Sequence, residues 1–246
     1  MDKHGEIQFF DENGKRVRAR RLRIPGGEAR VTYALVALNV AMFAVELACG
    51  AHPLHPRADV LVRLGADVAP LTLHGEPWRL VTSMFLHFGV VHLAMNMLCL
   101  YQARSVEPLF GSLGFVAIYL AAGLGGSLAS SLHANPLDVG AGASGAVFGV
   151  IAAFGVYLLV HRSRLSDASL RRDARWLAIF FLVNLVYGAT SPTTDLTAHL
   201  GGLVAGGAAA FALTVGERAQ LHRVRRAIAV ASTSLAVTVI ALVVVR

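Results

Sequence analysis

ASGAVFGVIAAFGVYLLV, residues 143–160, runs eighteen positions without a charge. At 1.5 Å per residue a helix of this length measures about 27 Å, close to the ~30 Å hydrocarbon thickness of a bilayer. An α-helix satisfies its own backbone polar groups, which is the condition for crossing lipid. Comparable apolar windows recur at Thr32–Cys49, Met84–Gln102, Leu113–Leu132, Trp176–Gly188, Ala198–Val215 and Ala227–Val245. The pattern predicts seven spans, Trp176–Gly188 being the shortest. The rest of the chain agrees: of 246 residues 55% are apolar and only 15% charged, with a mean hydropathy of +0.59. A soluble domain carries about 25% charged residues and a disordered one more, so both classes are excluded. The expected fold class is all-α, a polytopic membrane protein. Cys49 and Cys99 lie inside apolar runs and form neither a disulfide framework nor a zinc pattern. The first thirty residues are polar and contain no apolar stretch of the kind a signal peptide needs.

The basic residues predict an orientation, because cytoplasmic loops of membrane proteins retain Lys and Arg. The head, residues 1–30, holds eight, and the loops 103–112, 161–175 and 216–226 hold one, five and four. On the opposite side the loop 50–83 holds three, and Arg246 is the fourth. The N-terminus is therefore expected in the cytoplasm and the C-terminus outside. The basic runs Arg16–Arg23 and Arg162–Arg175 are expected to contact anionic lipid. The net charge of +7 does not point to a nucleic-acid partner, since no aromatic platform accompanies it. The segment 50–83 mixes Leu54, Val60 and Leu61 with Pro53, Pro56, Pro70 and charges. It reads as an outer loop packed on the membrane interface rather than as a span.

Polar side chains within spans are costly and mark function by default. His92 and Asn96 fall in the second span, Ser144 in the fourth and His199 in the sixth. All three helices run from outside to inside in this orientation, so the four groups share the outer half of the bilayer. A serine hydroxyl becomes a nucleophile when a base takes its proton, and histidine is the usual base near neutral pH. His92 and Asn96, four apart, share a helical face, and both can donate to the oxyanion of a tetrahedral intermediate. Ser144 opens its helix, where its own amide is unpaired and the dipole favours negative charge. Asp195 precedes His199 by four residues in the outer loop, so a Ser–His dyad is expected rather than a triad.

Simpler roles compete for some of these residues. A serine in a membrane helix commonly bonds its own backbone, and Gly145/Gly149 and Gly202/Gly206 have the spacing of helix-packing sites. His199, Gly202 and Gly206 share one face, so close packing of the fourth and sixth helices would also bring Ser144 to His199. His87 is expected at the outer interface, and Glu46 in a structural role. No metal is expected. His87 and His92 would stand about 140° apart on one helix, and the glutamate of a zinc-protease HExxH motif is absent.

Taken in order, these motifs resemble the rhomboid intramembrane serine protease family. Trp78-Arg79 resembles its Trp-Arg pair, and His87-Phe-Gly-Val-Val-His92-Leu-Ala-Met-Asn96 its His-x4-His-x3-Asn signature. Glu107, Gly111 and Tyr119 are similar to its Glu…Gly…Tyr pattern, and Gly142-Ala143-Ser144-Gly145 to its Gly-x-Ser-Gly nucleophile motif. Ala198-His199-Leu-Gly-Gly202-Leu-Val-Ala-Gly206 is similar to the helix bearing its base. The resemblance implies a six-helix core at 31–216 with a water-filled cavity opening outward. The basic segment 1–30 precedes it, and a linker with a seventh helix follows at 217–246. It implies a Ser144–His199 dyad, an oxyanion hole from Asn96, His92 and the Ser144 amide, and structural roles for Trp78, Arg79 and Glu107. It implies transmembrane protein substrates, no cofactor, and residence in a bacterial inner membrane. Many bacterial members carry Tyr where this chain has Phe148; the ring can still stack on the base, but the hydroxyl is lost. The competing reading is a catalytically inactive rhomboid-like scaffold, which would typically lack Ser144 or His199. A transporter would instead show paired repeats with broken helices, and none is visible.

Overall fold

The computed structural model describes residues 28–133, 135, 138–161, 168–190 and 195–218, and the strands β1 (Phe9–Phe10) and β2 (Arg16–Val17), which pair antiparallel. The expected seventh span, Ala227–Val245, and most of the basic head lie outside the described residues. Nine α-helices follow among the described residues: α1 (Arg30–Ala48), α2 (Ala58–Arg63), α3 (Ala69–Leu73), α4 (Arg79–Thr82), α5 (Val90–Gln102), α6 (Glu107–His133), α7 (Ser144–Val160), α8 (Ala168–Thr190) and α9 (Leu196–Arg218). Short 3₁₀ turns occupy Ser83–Phe85 and Ala103–Val106. The fold is helical and polytopic, as its composition requires. The helix α1, the run Val90–His133 and the stretch Leu196–Thr214 are long and apolar enough to cross a membrane, and α7, at 17 residues, is an apolar helix two residues shorter than α1.

The second span departs from its expected form. A helix from Met84 would carry His92 two turns inside, but α5 starts at Val90. Gly89 stands at φ 91°, and a Cβ there would lie 2.8 Å from the Leu54 carbonyl oxygen and 3.0 Å from that of Pro53. The Val90 N–H donates to the Pro53 oxygen at 2.7 Å. The outer loop thus ends the helix by pressing on its backbone. His92 is left in the first turn, with Asn96 one turn deeper. His87 falls before the helix, so the angular argument against its pairing with His92 does not apply. It is fully buried within the protein, its ring 5.3 Å from that of His92 and edge-on to it. The partner of Glu46 is the His87 backbone, whose N–H donates to Oε1 at 3.0 Å.

Two other boundaries moved. The helix α8 begins eight residues before Trp176, taking Arg171, Arg172 and Arg175 into its first turns. Hydropathy marks the part of a helix suited to lipid, and a helix can continue past it. The helix α6 begins at Glu107 and is interrupted at Gly111 (φ 73°), ahead of the apolar stretch Leu113–Leu132.

The core lies where α6, α7 and α9 meet. A Cβ on Gly202 would sit 2.1 Å from the Gly145 carbonyl oxygen, and one on Gly206 2.4 Å from the Gly149 Cα. The α7 and α9 backbones therefore touch, as the small-residue spacing predicted. Phe115, Ile118, Val147 and Val150 are buried around this contact.

Buried ionisable side chains fasten the connecting segments at both ends of the bundle. The Glu107 carboxylate accepts the Val31 N–H (3.1 Å), the Thr32 N–H (2.8 Å), the Thr32 hydroxyl (2.9 Å) and the Ser112 hydroxyl (2.9 Å). Ala29 offers α1 no side-chain cap, so Glu107 supplies one from 75 residues away. Arg79, 6% exposed, donates to the Val62 and Ala66 carbonyl oxygens at 2.7 and 2.9 Å and pairs with Glu76 at 2.6 Å. The loop 50–83 is thereby folded on itself into α2, α3 and α4.

Candidate active site

Ser144 is the first residue of α7. The first helical bond runs from the Val147 N–H to the Ala143 oxygen at 3.0 Å, so the amides of Ser144, Gly145 and Ala146 have no acceptor within the helix. Before it, Gly142 adopts φ 135°, a conformation that side chains disfavour. A Cβ at that position would lie 2.7 Å from His92 Cε1, 3.0 Å from His92 Nε2 and 3.8 Å from Asn96 Nδ2. The absent side chain lets the imidazole edge and the carboxamide come up against the backbone two residues before Ser144.

The hydrogen bonds orient both groups. His92 Nδ1 accepts the Phe88 N–H at 3.2 Å, which assigns the proton of a neutral ring to Nε2, the nitrogen facing Gly142. Asn96 Nδ2 donates to the His92 carbonyl oxygen at 3.0 Å and has a second N–H to offer. Asn96 is buried and His92 half-buried.

His199 stands in the first turn of α9 and is 6% exposed. The Phe148 ring lies on its imidazole with centroids 4.2 Å apart and planes 12° from parallel. Phe181 of α8 backs Phe148 at 5.4 Å. Phe148 is one helical turn beyond Ser144, and Gly145 packs on the Ala198 carbonyl oxygen. The residues flanking Ser144 and those flanking His199 are thus in contact. Asp195 serves neither ring nitrogen of His199. One of its oxygens accepts the Ala198 N–H (2.9 Å) and the Thr197 hydroxyl (2.6 Å), which makes it the N-cap of α9; the other accepts the Ser130 hydroxyl. His199 Nδ1 is buried without a hydrogen-bond partner among the described residues.

A cleft of about 510 Å³ lies elsewhere, lined in part by Glu28, Tyr33, Gln102, Arg104, Arg172 and Trp176. It sits at the far end of α5 from His92, away from Ser144, and is no candidate for chemistry at that serine.

Residues 74–216 match the Rhomboid domain, a stretch that includes His92, Asn96, Ser144, Phe148 and His199. This chain belongs to the rhomboid family. It is 38% identical over 189 residues to the rhomboid protease GluP of Bacillus subtilis, covering 76% of this chain and 35% of GluP. It is 30% identical over 207 residues to the rhomboid protease AarA of Providencia stuartii, covering 76% of this chain and 73% of AarA. RHOMBOID-like protein 6, mitochondrial, of Arabidopsis thaliana is 36% identical over 169 residues, covering 65% of this chain and 52% of that protein. This rhomboid is an integral, multi-pass membrane protein.

Sequence reasoning passed over Asp67, Ser130 and Ser131 of this rhomboid, which hold its outer segments together. Their pairing is between distant positions, and no local pattern announces it. The capping role of Asp195 had a signal, since an Asp just before an apolar helix is a common N-cap.

Proposed function

We propose that this rhomboid is an intramembrane serine endopeptidase that cleaves a peptide bond in or near a substrate's transmembrane helix, on the outer side of the bilayer. The observation that carries the reading is the Phe148–His199 stack, which holds an imidazole over the first turn of the helix that Ser144 begins. In the first step His199 takes the Ser144 proton as Oγ attacks the carbonyl carbon. Negative charge develops on the carbonyl oxygen, and the Ser144 amide, Asn96 Nδ2 and His92 Nε2 are the donors to receive it. His199 returns the proton to the leaving amine, and water then resolves the acyl-enzyme by the same route. Asp195 is engaged as a helix cap, which supports a dyad without a third member. The distribution of Lys and Arg supports an N-terminus in the cytoplasm and contacts with anionic lipid, and the similarity to bacterial rhomboid proteases supports a plasma-membrane location.

The test is labelling of the purified protein with a serine-reactive fluorophosphonate, beside cleavage of a transmembrane substrate. Ser144→Ala is expected to abolish both, and His199→Ala to reduce both to background. The double variant should lose nothing further, as groups acting in one unit do. Turnover by Ser144→Ala favours another chemistry, and no label on the wild-type serine favours the inactive scaffold.

A further inference from the structure

The last turn of α6 carries two adjacent buried hydroxyls, and each holds a different carboxylate. Ser131 Oγ donates to both oxygens of Asp67 at 2.8 Å, while Ser130 Oγ donates to Asp195. Asp195 belongs to the segment that carries His199, and Asp67, from the loop 50–83, is bonded to the segment that leads to Ser144. Asp67 exchanges both backbone bonds with Gly140, each at 2.8 Å, two residues before Gly142 on the approach to Ser144. Asp67 is 4% exposed and is also bonded by the Thr72 hydroxyl. Asp195 caps α9 four residues before His199. A third link runs parallel to these: the Ser83 oxygen accepts the Gly142 N–H at 2.9 Å, and the Ser83 and Ser127 hydroxyls are 3.3 Å apart.

Val139, Ala141 and Ala143 pack the approach to Ser144 between neighbouring elements, and the glycines at 140 and 142 bring its backbone up to Asp67 and Ser83. Its position is set by what Asp67 and Ser83 hold. The position of the α9 start is set in turn by Ser130 and by the glycine contacts. Ser130 and Ser131, which hold Asp195 and Asp67, are adjacent on the last turn of α6.

We propose that Ser130 and Ser131, with Asp195 and Asp67, form a clamp on α6 that sets the distance between Ser144 and His199. The four are positioning residues; none touches substrate. The clamp rests on the Ser144–His199 reading above. Misplacing a reacting group by a fraction of an ångström to an ångström lowers rate steeply while leaving binding unchanged. The clamp therefore acts on kcat rather than KM.

Both serines sit in a helix, where alanine is the best helix former, so Ser130→Ala and Ser131→Ala should fold. Each is expected to lower the rate constant for fluorophosphonate labelling of Ser144, and kcat for a transmembrane substrate, by roughly tenfold. KM should stay near wild type, while the thermal midpoint in detergent falls by a few degrees because a buried carboxylate loses one donor. Opening either arm releases the clamp, so the double variant should be no slower than the slower single variant. Asp67→Asn, which retains an acceptor oxygen, should label faster than Asp67→Ala. Wild-type labelling by the double variant overturns the clamp. So do independent, multiplying losses, or a loss confined to KM. Wild-type protein that takes no label overturns the underlying reading and the clamp with it, and this control separates the two failures.

Discussion

Phe148 lies flat against His199, and its neighbour Phe181 leaves it little freedom to turn. In the proposed mechanism this ring orients the base without a hydrogen bond, a contact worth on the order of 0.5–1.5 kcal/mol. Phe148→Leu keeps much of the volume and removes the ring face, so initial cleavage rates at saturating substrate should fall several-fold. Phe148→Tyr should retain activity, because the stack survives. Equal rates for Leu, Phe and Tyr would reduce Phe148 to packing bulk. Asn96 is the second test at this scale. Its carboxamide stands beside His92 Nε2 at the Gly142 backbone, where an oxyanion would be received. Asn96→Ala should lower kcat by roughly 10–10³-fold with little change in KM, since the interaction strengthens only as charge develops. A raised KM at constant kcat would make it a substrate contact instead.

The α7–α9 contact is the element on which the site depends. Its closeness is a matter of absent side chains: a Cβ on Gly202 would overlap the Gly145 carbonyl oxygen at 2.1 Å, and backbone cannot swing aside as a flexible side chain can. Gly202→Ala should therefore push the helices apart, costing about 1–3 kcal/mol of stability or more, and pull His199 away from Ser144. Gly155, also in α7, is the control. A Cβ there meets nothing within 4 Å, and Gly155→Ala should leave stability equal or improved by about 0.5–1 kcal/mol. Thermal midpoints of the two variants, measured together, distinguish close packing from a general intolerance of change in α7. The start of α1 shows the same dependence on distant groups, since its cap comes from Glu107.

At the scale of the whole molecule, the outer segments are joined by carboxylates withdrawn from water, and this should be visible in stability against pH. Burial pushes the Asp67 carboxyl above its ordinary value of 3.8, and the nearby Asp195 charge adds to the rise. The bonds from Thr72 and Ser131 and the Arg79 charge oppose it. The folded protein thus binds this proton more tightly than the unfolded chain does. Stability from this group is full below 3.8, declines as pH rises from there to the raised folded value, and is constant above it. Asp67→Asn removes the decline. The thermal midpoint of wild type relative to Asp67→Asn should fall as pH increases through that window. A relative midpoint that rises instead would show the Asp67 carboxylate to be stabilised, not strained, by its surroundings.

By itself the sequence determined what depends on local sums. The uncharged run 143–160 and its counterparts are lipid-compatible whatever surrounds them, so the helical membrane class was legible, as was the glycine spacing that lets α7 and α9 touch. Ser144 at a helix start could also be read locally, because Gly142 and the apolar run behind it mark the boundary. Tertiary structure decided what depends on contacts between distant residues. Hydropathy gave Met84 as the start of the second span, but the Pro53 and Leu54 carbonyls crowd Gly89 and start α5 at Val90. Nothing local sends Glu107 to α1, buries His87 against His92, or gives Asp67 to Ser131 and Asp195 to Ser130. A carboxylate removed from water requires donors, and where those donors lie is settled by how the chain returns to it in space.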